Sequence, residues 1–233
     1  MVFDYEAREN AILHLLKKLR DTNVEFVLVG GYAVSALAAH RFSVDCDIAV
    51  PKRSIAKIRS ILRAEGYKKQ KEKRGFDKAY GGSFESYAKP IADLNVTVDL
   101  LVDSLASRTT GASWSYREIR SRSSMRKVPG VSMAVESWVP SKEIMIAFKV
   151  HAGRLADARD IAMMADDTDW DSVAKLVNRG KLRTVKKKID DVVGILADRN
   201  TADSLKGVYY KKGDVSKMIG ATTKHLKILK DKI

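Results

Sequence analysis

The spacing of apolar residues predicts the elements of this chain before any other feature is needed. Over residues 5–20, Ile12, Leu13, Leu15, Leu16 and Leu19 fall on one helical stripe, with lysines and arginines opposite. Glu25 to Val29 is a short apolar run, predicted as a buried strand, and it stops at Gly30-Gly31. Tyr32 to Ala39 follows at once as a helix. Cys46 to Val50 predicts a second strand ending at Pro51, and Arg53 to Glu65 a helix that buries Ile55, Ile58, Ile61 and Leu62. Gly66 closes it, and a basic stretch leads to a turn at Gly81-Gly82 and a strand over Phe84 to Ala88. Leu94 to Val102 carries the clearest strand pattern, with Asn95, Thr97 and Asp99 alternating with Val96, Val98 and Leu100. Val128 to Val135, broken by Pro129-Gly130, predicts an edge strand or hairpin.

From Ser141 onward the pattern is helical throughout, with Ser141 and Glu143 suited to a first turn. The predicted helices are 141–153, 155–165, 169–178, 183–197, 201–210 and 214–231. Strands dominate the middle and helices the end, so the fold class is α+β: a mixed sheet flanked by helices, then a helical C-terminal domain. The boundary is predicted near Trp138 to Ser141, giving domains 1–138 and 139–233.

Composition narrows the setting. The chain is 45% hydrophobic and 31% charged, the balance of a globular protein. No apolar run approaches the roughly 20 residues of a bilayer span, and the first residues lack the basic-then-apolar order of a signal peptide. The expectation is a cytoplasmic protein with no membrane partner. The single cysteine, Cys46, excludes an internal disulfide framework and reads as a small buried core residue. A net charge of +14 favours polyanionic partners, nucleic acid or nucleotides before an acidic membrane surface. Basic clusters stand at Lys68 to Arg74, Arg120 to Lys127 and Lys186 to Lys188, and along the last helix. Each is either a solvated face or a contact surface.

Candidate chemistry lies at three places. A strand that ends in Gly30-Gly31 and opens directly into a helix presents free backbone amides and the positive end of a helix dipole to a phosphate. Alone, such a turn is as readily structural. Asp45 and Asp47, two apart on a strand, point to the same face, where their repulsion calls for a divalent cation or for solvent. Asp99 is the last polar residue on the mixed face of its strand and joins them if that strand pairs beside 46–50. Three carboxylates there would hold two Mg2+ ions about 4 Å apart, the clamp used for in-line nucleotidyl transfer, with Asp99 near enough to act as base.

These segments resemble a known superfamily. Gly30-Gly31, then Arg41-Phe42-Ser43-Val44-Asp45-Cys46-Asp47-Ile48, then Val98-Asp99-Leu100-Leu101 look like the three signatures of the DNA polymerase β-type nucleotidyltransferase fold. The Gly-Gly-Tyr-Ala opening and the Arg-x-Ser-x-Asp-x-Asp spacing are most similar to the AbiEii-like branch. That branch includes toxins of toxin–antitoxin pairs, some of which modify transfer RNA, so the resemblance implies an NTP substrate such as ATP and a cognate antitoxin, while the basic surface makes RNA the preferred acceptor. Residues 144–154 and 158–161 resemble the branch's helical lysine motif; by that resemblance Lys149 reaches the triphosphate, with Arg154 and Asp160 shaping the same cleft. Independently, a lysine in an apolar helix needs an anionic partner or an exit to water. Many relatives place serine after the first glycine, where this chain has Gly31, so phosphate binding is expected to rest on backbone amides, Arg41, Ser43 and Lys149.

Three functional readings follow: an Mg-dependent transferase acting on RNA, a transferase acting on an antibiotic-like small molecule, and a non-catalytic nucleic-acid-binding module on the same fold.

Overall fold

A computed structural model describes residues 2–75, 77, 79–91 and 93–233. Its main sheet has five strands: β1 (Val27–Val29), β2 (Asp45–Val50), β3 (Lys68–Lys73), β4 (Ser83–Ile91) and β5 (Leu94–Val102), in the order β1-β2-β5-β4-β3. Only β2 and β5 run parallel, and the other neighbours are antiparallel. The alternation along β2 and β5 decides which side is buried. Cys46, Ile48 and Val50 share one face with Val96, Val98, Leu100 and Val102, all buried. Helix α1 (Val2–Asp21) lays Ile12, Leu13, Leu16 and Leu19 into this core, and α3 (Ile55–Ala64) adds Ile58, Ile61 and Leu62. The polar residues of β2 and β5 are left on the other face.

The chain divides into two compact units: Met1–Ala36, Phe42–Ala106 and Trp114–Pro140 make the first, and Leu37–Arg41, Ser107–Ser113 and Ser141–Ile233 the second. In the first, α2 (Gly30–Leu37) begins where β1 ends; β6 (Ser104–Ala106) pairs with β7 (Ser113–Ser115); and α4 (Tyr116–Ser121) leads to the hairpin of β8 (Ser123–Pro129) and β9 (Ala134–Pro140). In the second unit α5 (Lys142–Ala152) is central, buried from Ile144 to His151 and packed by α6 (Leu155–Met164), α7 (Trp170–Val177) and α8 (Leu182–Ala197). Helices α9 (Arg199–Tyr209) and α10 (Ser216–Lys232) complete it. No helix among the described residues is long and apolar enough to cross a membrane.

Three expectations change. The basic stretch after Gly66 forms β3, an exposed edge strand whose lysines discourage pairing with a further strand. The hairpin predicted over 128–135 extends to 123–140, because Arg126 and Lys127 pair through their backbones with Ser137 and Glu136 although their side chains stay exposed. Ser141 begins α5 as expected, yet its side chain makes no capping hydrogen bond.

Candidate active site

The first unit gathers Gly30, Gly31, Ser43, Asp45, Asp47 and Asp99 at the polar face of β2 and β5. Parallel register sets Asp45 beside Thr97 and Asp47 beside Asp99, and β1 brings Val29 opposite Asp47. The chain leaves β1 through Gly30 at φ +67°, and α2 starts there, so the first amides of that helix face the strand ends without helical partners. No side chain fits at Gly30: a Cβ would lie 2.1 Å from Asp47 Oδ2. Ser43 is committed to the approach loop, since its hydroxyl donates to the Asp45 carbonyl at 3.1 Å and the Tyr32 hydroxyl donates to its own carbonyl at 3.2 Å.

The electrostatics of this face centre on Asp99. Its Oδ1 is buried and has no hydrogen-bond partner among the described residues. Burial, and then the charge of Asp45, raise its pKa, while a hydrogen bond from Ser86 and the charge of Lys71 oppose the rise. The Thr97 hydroxyl donates to Asp45 Oδ1. On the opposite face Cys46 is fully buried, and burial followed by the charges of Asp47, Asp99 and Asp45 pushes its thiol pKa up, so it stays a neutral core residue.

The donor set fits a hard divalent cation. Carboxylates from two adjacent strands share a face, and one buried carboxylate oxygen lacks a partner. Among the described residues, no group of three or more His, Cys, Asp or Glu side chains is placed to hold a metal ion on its own. Magnesium does not require such a cage, because it retains waters and is held by one or two carboxylates together with substrate phosphates.

The second unit gathers the other candidates. Arg41 makes a two-pronged ion pair with Asp160, Nε at 2.9 Å and a terminal nitrogen at 2.8 Å. Lys149 lies 2.7 Å from the same carboxylate and 3.1 Å from Asp157, and the Tyr209 hydroxyl also donates to Asp160. Arg154 bonds Asp157 through Nε at 2.7 Å. Three cations thus surround two buried carboxylates, leaving one positive charge in excess. Burial alone would raise the Asp160 pKa; the charges of Lys149 and Arg41 outweigh it and hold the group below the ordinary range. The anionic partner that Lys149 needed is therefore supplied by the protein itself. Asp157 and Tyr209 were not anticipated. Two acids one turn apart on α6, whose remaining residues are apolar except Arg159, were a visible signal for Asp157, whereas Tyr209 carried none.

Comparison with known proteins places this geometry. No curated protein matches the sequence. The family described as aminoglycoside-2''-adenylyltransferase matches residues 11–87. Among solved structures, JHP933 from Helicobacter pylori is 17% identical with a TM-score of 0.50, covering 97% of this chain and 91% of that one. A second Helicobacter pylori structure, provisionally assigned as a nucleotidyltransferase, is 17% identical with a TM-score of 0.48, covering 97% and 94%. The antibiotic-resistance enzyme ANT(2'')-Ia, solved with adenylyl-2''-tobramycin, is 15% identical with a TM-score of 0.40, covering 87% and 97%. At such identities the likeness is one of fold, and the chain shares the α+β architecture of JHP933, a mixed sheet followed by a helical region.

Proposed function

We propose that this chain is a divalent-cation-dependent nucleotidyltransferase that moves NMP from an NTP to a hydroxyl acceptor and releases pyrophosphate. The observation that carries the reading is the buried oxygen of Asp99, partnerless among the described residues, on the face it shares with Asp45 and Asp47, where the Asp47 carboxylate stands against the strand-to-helix turn at Gly30. Asp45, Asp47 and Asp99 would hold magnesium, one or two ions, which supplies positive charge against the triphosphate. The amides at Gly30 and Gly31 bind phosphate oxygens. Asp99 accepts the proton of the acceptor hydroxyl as that oxygen bonds to the α-phosphorus and pyrophosphate departs. Arg41, Lys149, Arg154 and Asp160 form the nucleotide-binding set of the second unit, where the excess positive charge suits an anionic substrate.

The acceptor is RNA in our reading, supported by the net charge of +14. A role as the toxin of a toxin–antitoxin pair in the cytoplasm rests on the AbiEii-like resemblance. A second reading, transfer to a cationic small molecule, is favoured by the aminoglycoside-2''-adenylyltransferase match over residues 11–87. Incubating the protein with each labelled NTP and magnesium, together with either total transfer RNA or an aminoglycoside panel, separates the two. Label on RNA supports the first and label on a drug the second. Absence of label on every acceptor from all four NTPs, with the protein folded, overturns transferase activity.

A further inference from the structure

A cavity of about 280 Å³ lies within the first unit, at the end of β1 and β2 away from the carboxylate face. Val24, Glu25 and Phe26, which lead into β1, line it, whereas Gly30 lies past the other end of that strand. At about 3.3 Å per residue, β1 puts roughly 10 Å or more between the cavity and the carboxylates. The cavity is therefore separate from the candidate active site.

Its lining sets three arginines among the apolar side chains of Val24, Phe26, Met125 and Trp138. Arg20 comes from α1, Arg53 from the turn after β2 and Arg120 from α4. The Arg120 guanidinium lies over the Trp138 ring, 3.3 Å from its centre, which fixes its plane. Two further lining residues, Ser137 and Tyr116, carry buried hydroxyls with no hydrogen-bond partner among the described residues. Ser137 is 1% exposed and Tyr116 is 7% exposed. A buried hydroxyl left without a partner forfeits the hydrogen bonds it made in water, so a pair of them beside one cavity calls for an acceptor. Burial, then the charge of Glu25, pushes the Tyr116 pKa up to about 12 against Arg120 and Arg53, so the phenol remains a neutral O–H donor.

We propose that this cavity is a phosphate-binding site, taking a phosphomonoester or phosphodiester group through Arg20, Arg53, Arg120 and the hydroxyls of Tyr116 and Ser137. The donors select the ligand. One guanidinium fork already saturates the two oxygens of a carboxylate, whereas three guanidinium groups and two hydroxyls match the three or four oxygens of a phosphate. Arg53 pairs with Glu25, and Arg20 bonds Asp21 through Nε at 2.9 Å and a terminal nitrogen at 2.7 Å, so Arg20 and Arg53 offer a ligand their remaining N–H groups; three arginines against these two carboxylates leave one positive charge in excess. The volume is far above the roughly 30 Å³ share of one water and just under the usual range for ligand pockets, so it suits a phosphate with one attached group.

The test is a binding titration that needs no catalysis. Trp138 lines the cavity, so intrinsic fluorescence, checked by calorimetry, follows the addition of inorganic phosphate, AMP or a short single-stranded oligoribonucleotide at fixed ionic strength, with acetate as control. Wild type is expected to bind phosphate-bearing ligands and not acetate. Tyr116→Phe and Ser137→Ala, which remove only the hydroxyls, should each weaken binding several-fold, and Arg120→Gln should weaken it tenfold or more. Circular dichroism and thermal melts verify that each variant folds. Oligoribonucleotide binding at least tenfold tighter than phosphate or AMP, and sensitive to these variants, assigns the site to an RNA backbone. Comparable or tighter binding of phosphate or AMP assigns it to a free phosphorylated molecule. Binding absent in wild type, or unchanged in Tyr116→Phe/Ser137→Ala, overturns the proposal.

Discussion

Gly30 and Asp47 share one small volume: the Asp47 carboxylate fills the space where any side chain at position 30 would begin. The glycine thus does more than turn the chain from β1 into α2. It lets a carboxylate stand directly against the start of a helix, where the helix dipole favours negative charge.

Gly30→Ala is expected to damage the protein twice over. The φ of +67° strains any L-residue by about 1–3 kcal/mol, and the new Cβ must displace Asp47. Displacing a catalytic carboxylate by about 1 Å can cost roughly 10²-fold in rate. Melting and NTP-transfer assays together read both effects. A variant with full activity would show that the Asp47 position is immaterial to the reaction.

Asp99→Asn separates charge from shape. Burial and Asp45 raise the Asp99 pKa, so the folded protein holds the proton more tightly than the unfolded chain does. That contribution is present at low pH and is lost as pH rises through the folded pKa, above the unfolded value near 3.9. In the absence of divalent cation, the amide variant should lack this loss and become relatively more stable than wild type as pH rises. Added magnesium should stabilise wild type and not the variant, and transferase activity should fall about 10²- to 10⁴-fold. Equal magnesium stabilisation of both proteins would remove Asp99 from the cation site.

The Asp160 cluster should behave as a stability element whatever its part in nucleotide binding. Its pKa is held low by Lys149 and Arg41, so its contribution is present above the unfolded value and lost as pH falls through the folded one. Asp160→Ala removes the carboxylate that Arg41 grips with two nitrogens and one of the two carboxylates beside the buried Lys149, and is expected to cost about 3 kcal/mol. Tyr209→Phe removes one hydrogen bond to the same group and should cost about 1 kcal/mol. Urea titrations give both values, and equal losses would mean that the ion pairs add nothing beyond the hydroxyl.

Much of this was legible from the chain. Alternation in residues 94–102 placed Asp99 on a polar face, and the helical spacing after Ser141 located all six C-terminal helices within a few residues. β3 was not legible, because Lys68 to Lys73 has no apolar period and is held by backbone pairing to β4. The Arg41–Asp160 pair was equally hidden: 119 positions separate its members, and no local pattern encodes such a contact. The aspartate motifs could be read because they are local in sequence. The ion-pair cluster was only half visible: the resemblance put Lys149, Arg154 and Asp160 in one cleft, but neither Asp157 nor the direct pairing of Lys149 with Asp160 was read from the sequence.

His151 shows the same principle in a residue with no part in the transfer chemistry proposed above. It is buried in the second unit, with Nδ1 2.7 Å from the Thr110 hydroxyl and Nε2 3.1 Å from the Val177 carbonyl. The carbonyl can only accept, so Nε2 carries a proton; with burial holding the ring neutral, Nδ1 is the acceptor and the Thr110 hydroxyl donates to it. Burial, outweighing the Val177 hydrogen bond, pushes its pKa down to about 4. Between the unfolded value near 6.5 and about 4, the unfolded chain binds a proton that the folded one refuses. Stability should therefore be complete above pH 6.5 and decline as pH falls toward 4. His151→Gln keeps a polar side chain without the titration, so its urea midpoint should change less between pH 7 and pH 5 than that of wild type. An identical pH dependence in the two proteins would mean that His151 titrates normally and that burial does not hold it neutral.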